Sequence, residues 1–179
     1  FETICKAANA HEVGIRKVAL RLLAKYAKLK VDAFDPSGPL SRLIDDEDDS
    51  IRRAALKLVR KHRLSFLGPR LVSRIEESDF DTLSVGERRA TLRALAALHP
   101  SKACDVAMEL LDTGGIRPDE ARQETRRLAL GILGAHGSTS EALKAAERAG
   151  SSWWWNSNEL EDVASSAASK IQSRIEDDA

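Results

Sequence analysis

At 179 residues, with 42% hydrophobic, 31% charged and only 4% aromatic side chains, the chain can form one domain or one array and must build its core from Leu, Ala and Val. Its 28 Lys and Arg balance 28 Asp and Glu, unlike the basic excess usual in a nucleic-acid binder, and no apolar run approaches the roughly 20 residues that span a bilayer. Cys5 and Cys104 lie too far apart in sequence for a disulfide framework or a metal motif, which fits a reducing, cytoplasmic compartment.

The patterning predicts an all-α chain, because no stretch alternates β-branched residues between turn signals. The chain starts at Phe1 inside a helical unit and reads as a piece of a longer protein. A first helix is expected over 1–9 and a second over 12–29. A loop over 30–38 leads to a short helix over 39–44, the acidic turn Asp45 to Asp49, and a longer helix over 50–62. In that helix Ile51, Ala54, Ala55, Leu58 and Val59 share one face, the buried side of an amphipathic helix. Helices over 69–77 and 87–98 follow, with Ser84 and Glu87 spaced as a capping box. Next come 101–111 and 119–135, where Pro118 suits a first helical position. The last pair is expected over 138–149 and 156–175, with Ser138/Glu141 and Asn156/Glu159 as capping boxes.

The longer member of each pair opens on a recurring segment. Ile15-Arg16-Lys17-Val18-Ala19-Leu20 returns as Ile51-Arg52-Arg53-Ala54-Ala55-Leu56, Glu87-Arg88-Arg89-Ala90-Thr91-Leu92 and Thr125-Arg126-Arg127-Leu128-Ala129-Leu130, and in decayed form from Leu160 to Ser165. Measured at Arg16, Arg52, Arg88, Arg126 and Glu161, the steps are 36, 36, 38 and 35 residues. Such a period predicts a stacked array of five units, over about 1–30, 37–63, 68–99, 101–136 and 138–176.

Helix pairs of this length, with an acidic turn and then Ile-Arg-x-x-Ala, resemble HEAT repeats. The match is best from Asp48 to Leu56, weakest where Glu161 replaces Arg, and extends over essentially the whole chain. The resemblance implies a right-handed α-solenoid whose second helices line its concave side. It also implies a ladder of turn Asp and helix Arg between neighbouring repeats. Arg16, Arg52, Arg88 and Arg126 would be its rungs, and Asp48 or Asp49 and Asp119 its acids, with Ser84 standing at the third turn. The fold implies no single function, since repeats of this kind serve protein interaction, DNA base excision and other chemistry.

One feature of the second helices points to binding. Lys17, Arg21 and Lys25 are spaced i, i+4, i+8, as are Arg53, Lys57 and Lys61, and Arg89 and Arg93 continue the row. This spacing makes one exposed basic ridge per helix. Arg127 then Gly131, and Asp162 then Ser166, end it. The basic half is also uneven: residues 1–90 carry 18 Lys and Arg against 14 Asp and Glu, and residues 91–179 carry 10 against 14. The row is either a solvated face or the seat of an acidic protein segment. Nucleic acid is the alternative partner, weakened by the absence of interleaved aromatics for base stacking, and a spacer or regulatory module of a larger enzyme or receptor is the third reading. Trp153, Trp154 and Trp155, all the tryptophans of the chain, fall in the last turn, as structural packing or as a second exposed anchor. No Gly-rich phosphate loop, nucleophile elbow or zincin helix is present, so neither an enzyme nor a cofactor nor a metal is expected. His62, His99 and His136 end helices, where partial protonation is favourable, and sit too far apart for a shared metal.

Overall fold

A computed structural model describes residues 2–29, 36–77, 79–112, 119–151 and 158–177. Among these residues the chain is all-helical, with no strand. The helices are α1 (Glu2–Ala8), α2 (Val13–Leu29), α3 (Ser37–Ile44), α4 (Asp49–His62), α5 (Gly68–Glu76), α6 (Val85–Leu98), α7 (Pro100–Asp112), α8 (Glu120–His136), α9 (Ser140–Gly150) and α10 (Asn158–Asp177). Two short 3₁₀ turns, Ser65–Leu67 and Phe80–Thr82, were not expected from the helical patterning. No helix among the described residues is long and apolar enough to cross a membrane.

The helix starts follow local chemistry. Asp48 caps α4, accepting from the Ser50 and Ile51 amides at 2.8 and 3.2 Å. Asp119 caps α8, accepting from the Arg122 amide at 2.8 Å. Each satisfies amides that the first helical turn leaves without a carbonyl. Ser84 accepts from the Glu87 amide at 3.2 Å as expected, but the Glu87 side chain turns away from the cap and pairs with Arg52. Only half of that capping box forms. At α9 the cap is Thr139, which accepts from the Ala142 amide at 3.2 Å, not Ser138 one residue earlier. Asn156 and Pro118 lie outside the described residues.

Helices pack in sequential pairs: α1 with α2, α3 with α4, α5 with α6, α7 with α8 and α9 with α10. The second members also pack on one another in chain order, α2 on α4, α4 on α6, α6 on α8 and α8 on α10. Between the layers runs an aliphatic core that includes the fully buried Leu23, Leu43, Ile51, Leu56, Leu95 and Leu130. Ala54, at the margin of the apolar stripe, is exposed, while Ile51, Ala55, Leu58 and Val59 are buried.

Arginines tie successive second helices together, with partners that differ from the expected acids. The Arg16 guanidinium donates to the Ala10 and His11 carbonyls of its own turn at 2.9 and 2.6 Å and meets Asp46 of the next turn at 2.7 Å. Arg52 repeats the arrangement. It donates to the Asp46 and Glu47 carbonyls at 2.7 and 2.9 Å and, in two parallel bonds, to Glu87 at 2.6 and 2.7 Å. The hydrogen bond to Glu87 holds the Arg52 guanidinium above its ordinary pKa. Arg88 donates to the Thr125 hydroxyl and the Ala121 carbonyl, both at 2.5 Å, and Thr125 donates in turn to Asp81. Asp48 and Asp119 therefore serve as caps, and the rung acids are Asp46 and Glu87.

Arg126, the expected fourth rung, has no such partner among the described residues. Its Nε is buried without a hydrogen bond, and burial, then the neighbouring Arg122, push its guanidinium below the ordinary value. The next residue, Arg127, reaches Glu159 of α10 instead, at 2.9 Å. The α8–α10 junction relies on close approach. A Cβ on Gly134 would sit 3.2 Å from the Ala167 backbone. Arg174 donates to the carbonyls of Gly134 and Gly137.

Candidate functional site

The parallel second helices set their exposed ridges side by side. Lys17, Arg53, Arg89 and Arg127 each follow the ladder arginine of their helix by one residue, and Arg21, Lys57, Arg93 and Gly131 follow it by five. Lys17, Arg21, Lys25, Arg53, Lys57, Lys61, Arg89 and Arg93 are all exposed.

The structure draws some of them into a groove and leaves others out. Between α4 and α6 a cleft of about 200 Å³ is lined by Arg53, Lys57, Arg60, Arg89 and Arg93, over Leu56 and Ala90. Between α6 and α8 it continues as a cleft of about 340 Å³. That second cleft shares Arg60, Arg89 and Arg93 with the first and adds Arg127 and His136. Lys17, Arg21, Lys25 and Lys61 line neither cleft. Trp153, Trp154 and Trp155 lie outside the described residues.

Two groove residues escaped the i, i+4 reading. Arg60 lies off that row on α4, eight residues after Arg52, and only the spacing between helices brings it into the lining of both clefts with Arg89 and Arg93. By its spacing the row ends at Arg127 and Gly131. The site continues through Arg127 into α8.

The cations are not equally engaged. Arg53 pairs with Asp49 at 2.8 Å one turn back, Arg89 with Glu124 at 3.8 Å, and Arg127 with Glu124 and Glu159. Lys57, Arg60 and Arg93 form no ion pair among the described residues. Like charges on helices about 10 Å apart repel by about 0.4 kcal/mol per pair even in water. Asp49, Glu124 and Glu159 offset this repulsion at Arg53, Arg89 and Arg127, and it is left at Lys57, Arg60 and Arg93. Its composition is mostly Arg, whose planar fork suits two-point contact with carboxylates and other oxyanions.

A second hollow, of about 720 Å³, lies on another flank of α6 and shares no residue with the groove. It is mostly apolar, formed by Pro69, Val72, Leu95, Leu98 and Pro100, with His99 at its edge 3.2 Å from the Ser65 carbonyl. Among the described residues no group of three or more His, Cys, Asp or Glu could hold a metal ion. Burial holds the Cys104 thiol above its ordinary value, against thiolate chemistry there.

No family model matches the chain, and neither does any curated protein sequence.

Proposed function

We propose that the chain is a HEAT-like α-solenoid serving as a protein-interaction module, and that its groove over α4, α6 and α8 captures an acidic segment of a partner protein. The regular 35–38-residue steps and the chain-order packing of the second helices support the array. The observation that carries the binding role is the convergence of Lys57, Arg60 and Arg93, none of which forms an ion pair among the described residues, on one continuous groove. Exposed cations with no acid paired to them among the described residues can be neutralised by a ligand. Opposed charge across an interface speeds encounter and excludes wrong partners more than it adds raw affinity.

The test uses Lys57→Glu/Arg93→Glu, two exposed positions outside the ladder, so helicity and melting should stay as in the parent. Binding of a fluorescent Glu/Asp-rich 15-residue peptide should weaken at least tenfold, about 1.4 kcal/mol. Unchanged peptide affinity refutes the groove. Tighter binding of a random DNA duplex than of the peptide, lost in the same variant with a steep salt dependence, would replace the protein partner with nucleic acid.

A further inference from the structure

The groove is not uniform along its length. On α4 the positions one, five and nine residues after the ladder arginine are Arg53, Lys57 and Lys61. On α6 they are Arg89, Arg93 and Ala97, and on α8 they are Arg127, Gly131 and Ala135. Long cations give way to small residues, and the groove deepens into the cleft of about 340 Å³ between α6 and α8. That volume lies near the lower end of the roughly 300–1,000 Å³ of pockets that hold small ligands. Its floor is apolar, made by Leu92, Ala96, Leu128 and Ile132.

Gly131 is the informative residue. A glycine inside a helix is destabilising relative to alanine, so it ordinarily answers a packing need. Gly134, one turn on, has that need, because α10 approaches it closely. Gly131 has none: a Cβ there would meet nothing within 4 Å. It stands where the preceding second helices carry Arg21, Lys57 and Arg93, and its missing side chain leaves the cleft open to solvent.

We infer that the acidic segment carries a large apolar side chain, which enters the cleft over Gly131 while flanking carboxylates meet Arg60, Arg93 and Arg127. This rests on the groove reading above and adds the partner's pattern, an apolar residue between acids. A purely acidic segment would leave the apolar floor wet, and a purely apolar one would cover Arg60 and Arg93 without offering them a carboxylate.

Two acidic 12-residue peptides of equal charge, one with a central Leu and one with a central Ser, are titrated against the parent chain and Gly131→Leu. The open space at Gly131 and the better helix propensity of Leu keep the variant folded, as its circular dichroism should verify. Ala135→Leu, at an exposed position of the same cleft, is a second way to fill it. The parent should bind the Leu peptide at least tenfold more tightly than the Ser peptide. Both filled variants should lose that difference. Equal binding of the two peptides by the parent overturns the apolar anchor and leaves the groove standing. Binding of neither overturns both.

Discussion

Glu87→Ala is the sharpest test of the ladder. The Glu87 side chain is 1% exposed and accepts two parallel bonds from Arg52, itself 14% exposed, with Arg74 also within 3.4 Å. Removing one member of a buried ion pair typically costs about 3–5 kcal/mol, because the other charge stays desolvated and unpaired. Arg52 retains the Asp46 and Glu47 carbonyls as acceptors, which places the expected loss at the low end, about 3 kcal/mol. For a chain of this size that lowers the melting temperature by about 6–12 °C. The comparison is Arg70→Ala. Arg70 also pairs with an acid, Asp45, at 2.8 Å, but its side chain is 36% exposed, and such surface pairs contribute at most about 1 kcal/mol. Urea unfolding of the two variants beside the parent measures both. Should Glu87→Ala cost no more than Arg70→Ala, the ladder does not hold successive helix pairs together, and the argument for it fails.

Two further expectations follow from local geometry. Gly131→Ala should stabilise by up to about 1 kcal/mol, since the helix gains propensity and the new methyl meets nothing. Gly137→Ala should instead destabilise by about 1–3 kcal/mol, its Cβ falling 2.8 Å from the Leu133 carbonyl oxygen; thermal melts that place both on the same side of the parent would contradict this. Burial, then the neighbouring Lys61, hold the His62 imidazole below its ordinary value of about 6.5. The folded chain therefore binds that proton less readily than the unfolded one. The contribution is complete above pH of about 6.5 and is lost as pH falls through the folded value. His62→Gln should flatten the stability–pH curve between about pH 7 and 5, and a curve of unchanged slope there would show that His62 does not titrate with folding.

Much of the framework was legible in the sequence, because its determinants are local. Apolar spacing sets each helix, and Asp48, Ser84 and Asp119 announce three helix starts within a residue or two. Glu87 shows where that legibility stops. Three residues after Ser84 it fits a capping box, but whether its carboxylate turns back or reaches across depends on a guanidinium 35 residues away. The rungs shift for the same reason. Asp46 meets Arg16, while Asp48 caps α4, a division that depends on how the turn sits against the preceding helix. The basic row was visible as i, i+4 spacing on single helices. Arg60 and the open cleft at Gly131 were not, because both arise from the distance between helices.

The unequal chemistry of the junctions sets which substitutions each one tolerates. At α2–α4, α4–α6 and α6–α8 buried side chains meet, Arg16 with Asp46, Arg52 with Glu87 and Arg88 with Thr125. A change of either partner strands the other, so the two positions of a rung can drift only together. At α8–α10 the bonds from Arg174 end on the carbonyl oxygens of Gly134 and Gly137, and Ala167 packs against Gly134. Any residue supplies a backbone carbonyl, so these contacts restrict side-chain size rather than chemical type.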